Sequence, residues 1–203
     1  ARLLRSGGTY VTHCNTGALA TAGIGTAFAV FVVGKRAGMR FTVLADETRP
    51  LLQGARLTAL ELAANGIPGR LLPDGAAGGL LARGLVDGAF VGADRVAANG
   101  DFANKVGTYS LAVLCRENGV PFYCVAPTTT IDPRTPDGRR IPIEQRDADE
   151  VRNFGGRAVA PRGFPVENPA FDVTPARLVT GLITERGLLR RPDRKKIAAL
   201  MRR

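Results

Sequence analysis

Tryptophan is absent from the 203 residues, and histidine occurs once, at His13. With one imidazole and no Cys-x-x-Cys pair, the donors of a zinc site are missing, and no metal is expected. Cysteine occurs three times, at Cys14, Cys115 and Cys124. Thiols so few, odd in number and scattered make no disulfide framework; they point to reduced cysteines and a cytoplasmic protein. The start lacks a charged segment leading into an apolar core, so no secretory signal is expected. No apolar run reaches membrane-spanning length. The longest, Ala18–Val33, has 16 residues broken by glycine and threonine, and reads as a core helix. There is no Gly-x-Gly-x-x-Gly or Walker-type loop either, which leaves nucleotide binding without a motif.

Positive charge is scarce where a nucleic-acid surface would need it, although the net charge is +10. Residues 1–151 hold 16 basic and 14 acidic side chains, while residues 152–203 hold 12 and 4. The surplus sits in Arg190, Arg191, Arg194, Lys195, Lys196, Arg202 and Arg203, with no aromatic residue among them. Residues 191–203 therefore read as a solvated basic tail or helix, and no specific nucleic-acid partner is expected. The rest, residues 1–190, has apolar side chains enough for one large domain.

What is present is a rhythm of short apolar runs and helix-sized segments. Tyr10–Thr12 reads as a strand that ends at Cys14 and turns directly into the Ala18–Val33 helix. Phe41–Ala45, Arg70–Leu72, Val86–Val91 and Phe122–Ala126 are the further strands, and Leu57–Ala64, Ala76–Ala82 and Val106–Arg116 the helices between them. Beyond Pro127 comes a polar excursion over Thr128–Glu150, then ordered loop over Gly155–Pro175. A helix is expected from Thr174, as N-cap, to about Arg186, followed by a basic helix over Asp193–Met201. The pattern predicts an α/β, Rossmann-like, three-layer domain with a mainly parallel sheet. Such sheets bind ligands at the carboxyl ends of their strands, here Cys14, Asp46, Asp74, Asp94 and Pro127.

Those ends carry the candidate chemistry. A thiol at a strand–helix junction faces free backbone N–H groups and the positive helix end, which favour thiolate. A small buried cysteine accounts for the same pattern. Asp94, closing a buried strand in Gly92–Ala93–Asp94–Arg95, is either a partly desolvated acid or a backbone cap. Asn104 and Lys105 precede a helix and suit an anion such as a phosphate ester, or form ordinary solvated surface. Gln53 offers a hydrogen bond to a hydroxyl or a cap. His13 reads as a structural hydrogen-bonder.

Taken together, the runs Thr12–His13–Cys14–Asn15–Thr16–Gly17–Ala18–Leu19–Ala20–Thr21, Asp46–Glu47–Thr48–Arg49–Pro50, Gln53–Gly54–Ala55–Arg56, Gly92–Ala93–Asp94–Arg95, Asn104–Lys105–Val106–Gly107–Thr108–Tyr109 and Asn168–Pro169–Ala170–Phe171–Asp172 resemble the methylthioribose-1-phosphate isomerase family. Ribose-1,5-bisphosphate isomerases and the alpha, beta and delta regulatory subunits of translation initiation factor 2B share that fold and resemble this chain less. The resemblance implies an aldose–ketose isomerase of methionine salvage that needs no cofactor and forms a homodimer. Its substrate would be a pentose 1-phosphate, 5-methylthioribose 1-phosphate first. It implies that Cys14 and Asp94 are catalytic and that Gln53, Asn104 and Lys105 bind substrate. In the family an N-terminal domain adds phosphate contacts through an Arg-Gly-Ala segment, expected to lie outside this stretch, so that phosphate is held loosely by these residues alone. Asp74–Gly75–Ala76 stands where the family has Asp-Ser-Met or Asp-Asn-Met, and smaller residues there are expected to enlarge the site or alter the lip over it.

Overall fold

A computed structural model of the chain describes residues 3–202. Its first half is built from β1 (Gly8–Thr12), α1 (Ala27–Arg36), β2 (Phe41–Asp46), α2 (Ala59–Ala64), β3 (Gly69–Leu72), α3 (Ala76–Ala82) and β4 (Gly88–Val91). The second half adds β5 (Arg95–Ala97), β6 (Phe102–Lys105), α4 (Thr108–Glu117), β7 (Phe122–Val125), β8 (Ile131–Asp132), α5 (Asp149–Arg152), β9 (Asn153–Phe154) and β10 (Arg157–Ala158). It closes with β11 (Phe171–Thr174), β12 (Gly181–Thr184), β13 (Gly187–Arg190) and α6 (Arg194–Met201).

The main sheet runs β13-β12-β7-β4-β1-β2-β3. All its pairings are parallel except β12 with β13. Its central strands are buried on both faces, and the period of two sorts their side chains into two layers. Tyr10, Val43, Phe90 and Tyr123 pack with Phe28, Phe31 and Val32 of α1 on one face. Val11, Leu44, Val91, Phe122 and Cys124 pack with Leu81 of α3, Leu111 and Cys115 of α4 and Ile197 and Leu200 of α6 on the other. Those are the three expected layers. The order reverses between β1 and β4, so the crevice of the topological switch point opens beside the ends of these two strands.

Several expectations give way. The helix expected from Ala18 begins only at Ala27. Gly23 and Gly25 have φ of 66° and 91°, which an α-helix does not accept, and residues 17–26 fold as a loop instead. Asn104 and Lys105 lie on β6 rather than at a helix start. The helix expected from Thr174 is a short 3₁₀ turn, Ala176–Leu178, followed by the β12–β13 hairpin. Gly181, against whose missing Cβ Leu188 packs, and Gly187, at φ 115°, suit that hairpin. The region taken as loop contains β11, which pairs with β6 inside a second sheet ordered β11-β6-β5-β8. By contrast the last helix forms as expected, with the Asp193 carboxylate capping the Lys196 N–H. It is docked rather than solvated: Ile197 and Leu200 are buried in the core.

Candidate active site

Cys14 follows β1 with φ of 66°, a conformation L-residues rarely adopt. A hydrogen-bonded cradle holds it there. The Cys14 N–H donates to Thr48 Oγ1 (2.9 Å), and Thr58 Oγ1 donates to the Cys14 carbonyl (2.6 Å). Thr48 is in turn tied to the Asp46 carbonyl (3.0 Å) and is fully buried. The residues after Cys14 are pinned by Glu61 of α2, a buried carboxylate that accepts from Asn15 Nδ2 (2.9 Å) and the Ala18 N–H (2.7 Å). Gly17 is required at this approach, because a Cβ there would meet the Glu61 carboxylate. Thr16 completes the fold of the loop by accepting from the Thr26 and Phe28 N–H groups.

This loop is one wall of a cavity of about 440 Å³ at the carboxyl edge of the sheet. Cys14, Thr16, Thr21, Asp94, Asn104 and Thr130 are among the residues lining it. Three of the five expected site residues therefore meet in one cavity. Lys105, the next residue on β6, is buried with its ammonium over the Phe171 ring at 4.9 Å. Its charge reaches both Cys14 and Asp94. Gln53 is not among the lining residues; it stands at the entrance to a π-helical turn, Gly54–Thr58, with Oε1 buried and without a partner.

The electrostatics reverse one expectation. Burial pushes the Cys14 thiol up to about 11, and the Asn15 N–H and Lys105 only partly oppose it. No helix starts at Cys14, so the dipole argued for a thiolate is not there; the resting group is a thiol. Asp94 is also raised, by burial, with Lys105 pulling the other way. A carboxyl shifted toward its protonated form beside a thiol, at a ligand-sized space, is suited to donate a proton. The N-terminus of α4, expected to hold an anion, is already taken: Asp172 accepts from the Gly107 N–H (2.7 Å) and the Tyr109 N–H (2.9 Å).

Sequence reasoning missed the cradle residues Thr48 and Thr58, and Glu61. A charged residue inside the apolar Leu57–Ala64 run was the available signal for Glu61. The Asp74–Gly75–Ala76 residues are not among those lining the cavity that holds Cys14. Asp74 accepts the Thr48 and Arg49 N–H groups, and Gly75 lines a separate cavity of about 220 Å³ with His13 and Asp46.

With this geometry in place, comparison with known proteins is decisive for ancestry. The initiation factor 2 subunit family matches residues 1–191. The chain belongs to that family. Within it, the chain is 56% identical over its whole length to the methylthioribose-1-phosphate isomerase of Nitratidesulfovibrio vulgaris, covering 58% of that protein. It is 58% identical over 200 residues, 98% of its length, to the enzyme of the same name from Albidiferax ferrireducens, covering 56% of it. Among solved structures, the 5-methylthioribose 1-phosphate isomerase of Pyrococcus horikoshii superposes with a TM-score of 0.94 at 48% identity, over 97% of this chain and 55% of that one. Another family member, the delta subunit of initiation factor eIF-2B from A. fulgidus, gives 0.95 at 39% identity, over 100% and 59%. The chain thus spans little more than half the length of the relatives it matches. Among the described residues no helix is long and apolar enough to cross a membrane.

Proposed function

We propose that this chain carries the catalytic site of an aldose–ketose isomerase that converts 5-methylthioribose 1-phosphate to 5-methylthioribulose 1-phosphate. The observation that carries the reading is the shared cavity at the switch point, where a carboxyl (Asp94), a thiol (Cys14) and a buried amide (Asn104) line one space beside the buried Lys105. The relatives named for this reaction support it.

The substrate's anomeric oxygen is locked by phosphate, so the ring must open before hydrogen can move from C2 to C1. In this reading the Asp94 carboxyl donates its proton to the ring oxygen as the C1–O bond breaks. The electron deficiency at C1 is then filled by hydride from C2, while the C2 hydroxyl returns a proton to Asp94. Ring oxygen gains a proton, C2 becomes the ketone, and Asp94 ends protonated as it began. A neutral Cys14 thiol at the C1–C2 edge favours this route over removal of the C2 proton by thiolate, because a thiol near 11 is scarcely ionised at neutral pH. Lys105 meets the phosphate, Asn104 a hydroxyl, and Gln53 is offered as a further contact. No metal or organic cofactor enters these steps. The exposed apolar residues of α4, Tyr109, Val113 and Leu114, are the face offered for homodimerisation.

The superposition on the initiation-factor subunit favours a second reading, a regulatory subunit without catalysis. Product analysis separates the two. NMR of a panel of sugar 1-phosphates incubated with the protein is expected to yield the 5-methylthioribulose product. A regulatory subunit yields none, and turnover of another pentose 1-phosphate instead would reassign the substrate.

A further inference from the structure

His13 stands immediately before Cys14, yet it faces away from the Cys14 cavity's lining and into the smaller one. Its ring is 1% exposed and lies between two acceptors. Nδ1 is 3.0 Å from Asp46 Oδ2, and Nε2 is 2.8 Å from the Val106 carbonyl oxygen. A carbonyl only accepts, so Nε2 must carry a proton and donate it. The Nδ1···Oδ2 contact needs a proton of its own, from the ring or from the carboxyl. Two protons are therefore shared by His13 and Asp46, one more than a neutral imidazole beside a carboxylate would hold. A cation among His13, Asp46 and Asp74, whose donor atoms lie within 4.8 Å of one another, would require a nitrogen lone pair that this bonding leaves unavailable.

Three segments meet at this ring. Its own strand, β1, delivers Cys14. Asp46 ends β2 and, through its carbonyl and Thr48, supports the Cys14 N–H. Val106 follows Lys105, and Gly107, at φ 105°, lets the β6–α4 turn approach so closely that a Cβ there would lie 2.7 Å from His13 Cε1. We propose that His13 is the positioning residue of the site: donating from Nε2 to the Val106 carbonyl and hydrogen-bonded through Nδ1 to Asp46, it clamps the strand end bearing Cys14 to the turn bearing Lys105. It touches no substrate. The clamp stands on the contacts alone; its bearing on turnover rests on the function proposed above. The charged groups acting on it are Asp46 at the end of β2, Asp74 before α3 and Asp172 of β11, while Glu47 and Cys115 of α4 lie near Asp46. Burial by itself would lower the His13 pKa, but the Asp46 hydrogen bond and charge, the Val106 carbonyl and Asp74 together raise it.

Because His13 is the single histidine of this chain, ¹⁵N-histidine labelling gives a one-residue NMR spectrum. The expected result is a proton on Nε2, slow to exchange, across pH 6–8. A bare Nε2, the Nδ1–H tautomer, overturns the proposal outright, with no variant needed. The second arm measures iodoacetamide alkylation of Cys14, which requires no substrate. His13→Ala is expected to speed it ~10-fold by loosening the strand end, the scale of a lost buried hydrogen bond. Asp46→Asn, whose amide can still donate to Nδ1, is expected to keep it within about twofold of the parent chain. A folded His13→Ala chain alkylated at the parent rate overturns the clamp. If the parent chain instead fails to isomerise the sugar phosphate, the function fails while the NMR and alkylation results still decide the clamp.

Discussion

Cys14 is at once conformationally strained and electrostatically quiet. Its positive φ is maintained by hydroxyls of Thr48 and Thr58, neither of which carries a charge that would ionise the thiol. Alkylation of Cys14 is therefore expected to keep accelerating from pH 8 to pH 11 instead of levelling near the ordinary thiol value of ~8.5. A plateau at or below 8.5 would mean a thiolate-stabilising group has been overlooked. In the proposed reaction Asp94 is the complementary case, an acid that must be protonated to act. Asp94→Asn is expected to lower turnover by ~10²–10⁴-fold without unfolding the chain, and Cys14→Ser by less, since it leaves a small polar group in the same cradle. As Lys105 lowers the Asp94 pKa, Lys105→Met is expected to raise KM and to move the alkaline limb of the rate profile to higher pH. An unmoved limb would show that Asp94 is not the titrating acid.

At the scale of elements, the loop after Cys14 is held by its neighbour, since α2 sends Glu61 across to residues 15–19. Glu61→Ala leaves the buried Asn15 Nδ2 with Thr58 Oγ1 as its one remaining partner and frees the Ala18 N–H, and the unsatisfied buried hydrogen is expected to cost ~1–3 kcal/mol. Denaturant unfolding is expected to show that loss, with no change for a substitution at exposed Leu60. The docking of α6 has a similar consequence: Ile197→Ala should cost ~2–5 kcal/mol, as for a buried aliphatic truncated to a cavity. An effect under 0.5 kcal/mol would restore the solvated tail.

The same elements show how far the sequence could be read. Parallel strands are legible as compact apolar runs, and their carboxyl ends bring Cys14 and Asp94 to one crevice; Asn104, expected at a helix start, reaches the same cavity from β6. The local reading failed where long-range contacts overrode local pattern. Residues 18–26 are as apolar as a helix, but Gly25 is drawn against the Thr16 carbonyl and the helix cannot begin. Residues 181–190 became a hairpin because β7 offered a free edge to pair with. The Thr48–Thr58 cradle left no local signal, since each hydroxyl acts on a strand end more than thirty residues away, and Glu61 showed only as a charge inside an apolar run, with its partners hidden for the same reason.

For the whole molecule, proton binding favours the folded state on the acid side. His13 titrates higher folded than unfolded, so its stabilisation is complete below the unfolded value of ~6.5 and is lost as pH rises through the higher folded one. The thermal midpoint is expected to fall from pH 6 to pH 8, and a folded His13→Ala variant to show a flatter dependence. A midpoint rising over that interval would contradict the sign of the shift.

The central claim is that one cavity at the switch point holds the acid that opens a phosphate-locked ring and the edge across which hydrogen moves. It is tested most directly by ¹³C NMR of 5-methylthio[1-¹³C]ribose 1-phosphate incubated with the protein in D₂O. The account predicts loss of the anomeric C1 signal, appearance of a C1 methylene carrying no deuterium, and abolition of both by Asp94→Asn. An unchanged anomeric signal, or equal conversion by the folded Asp94→Asn variant, would contradict it.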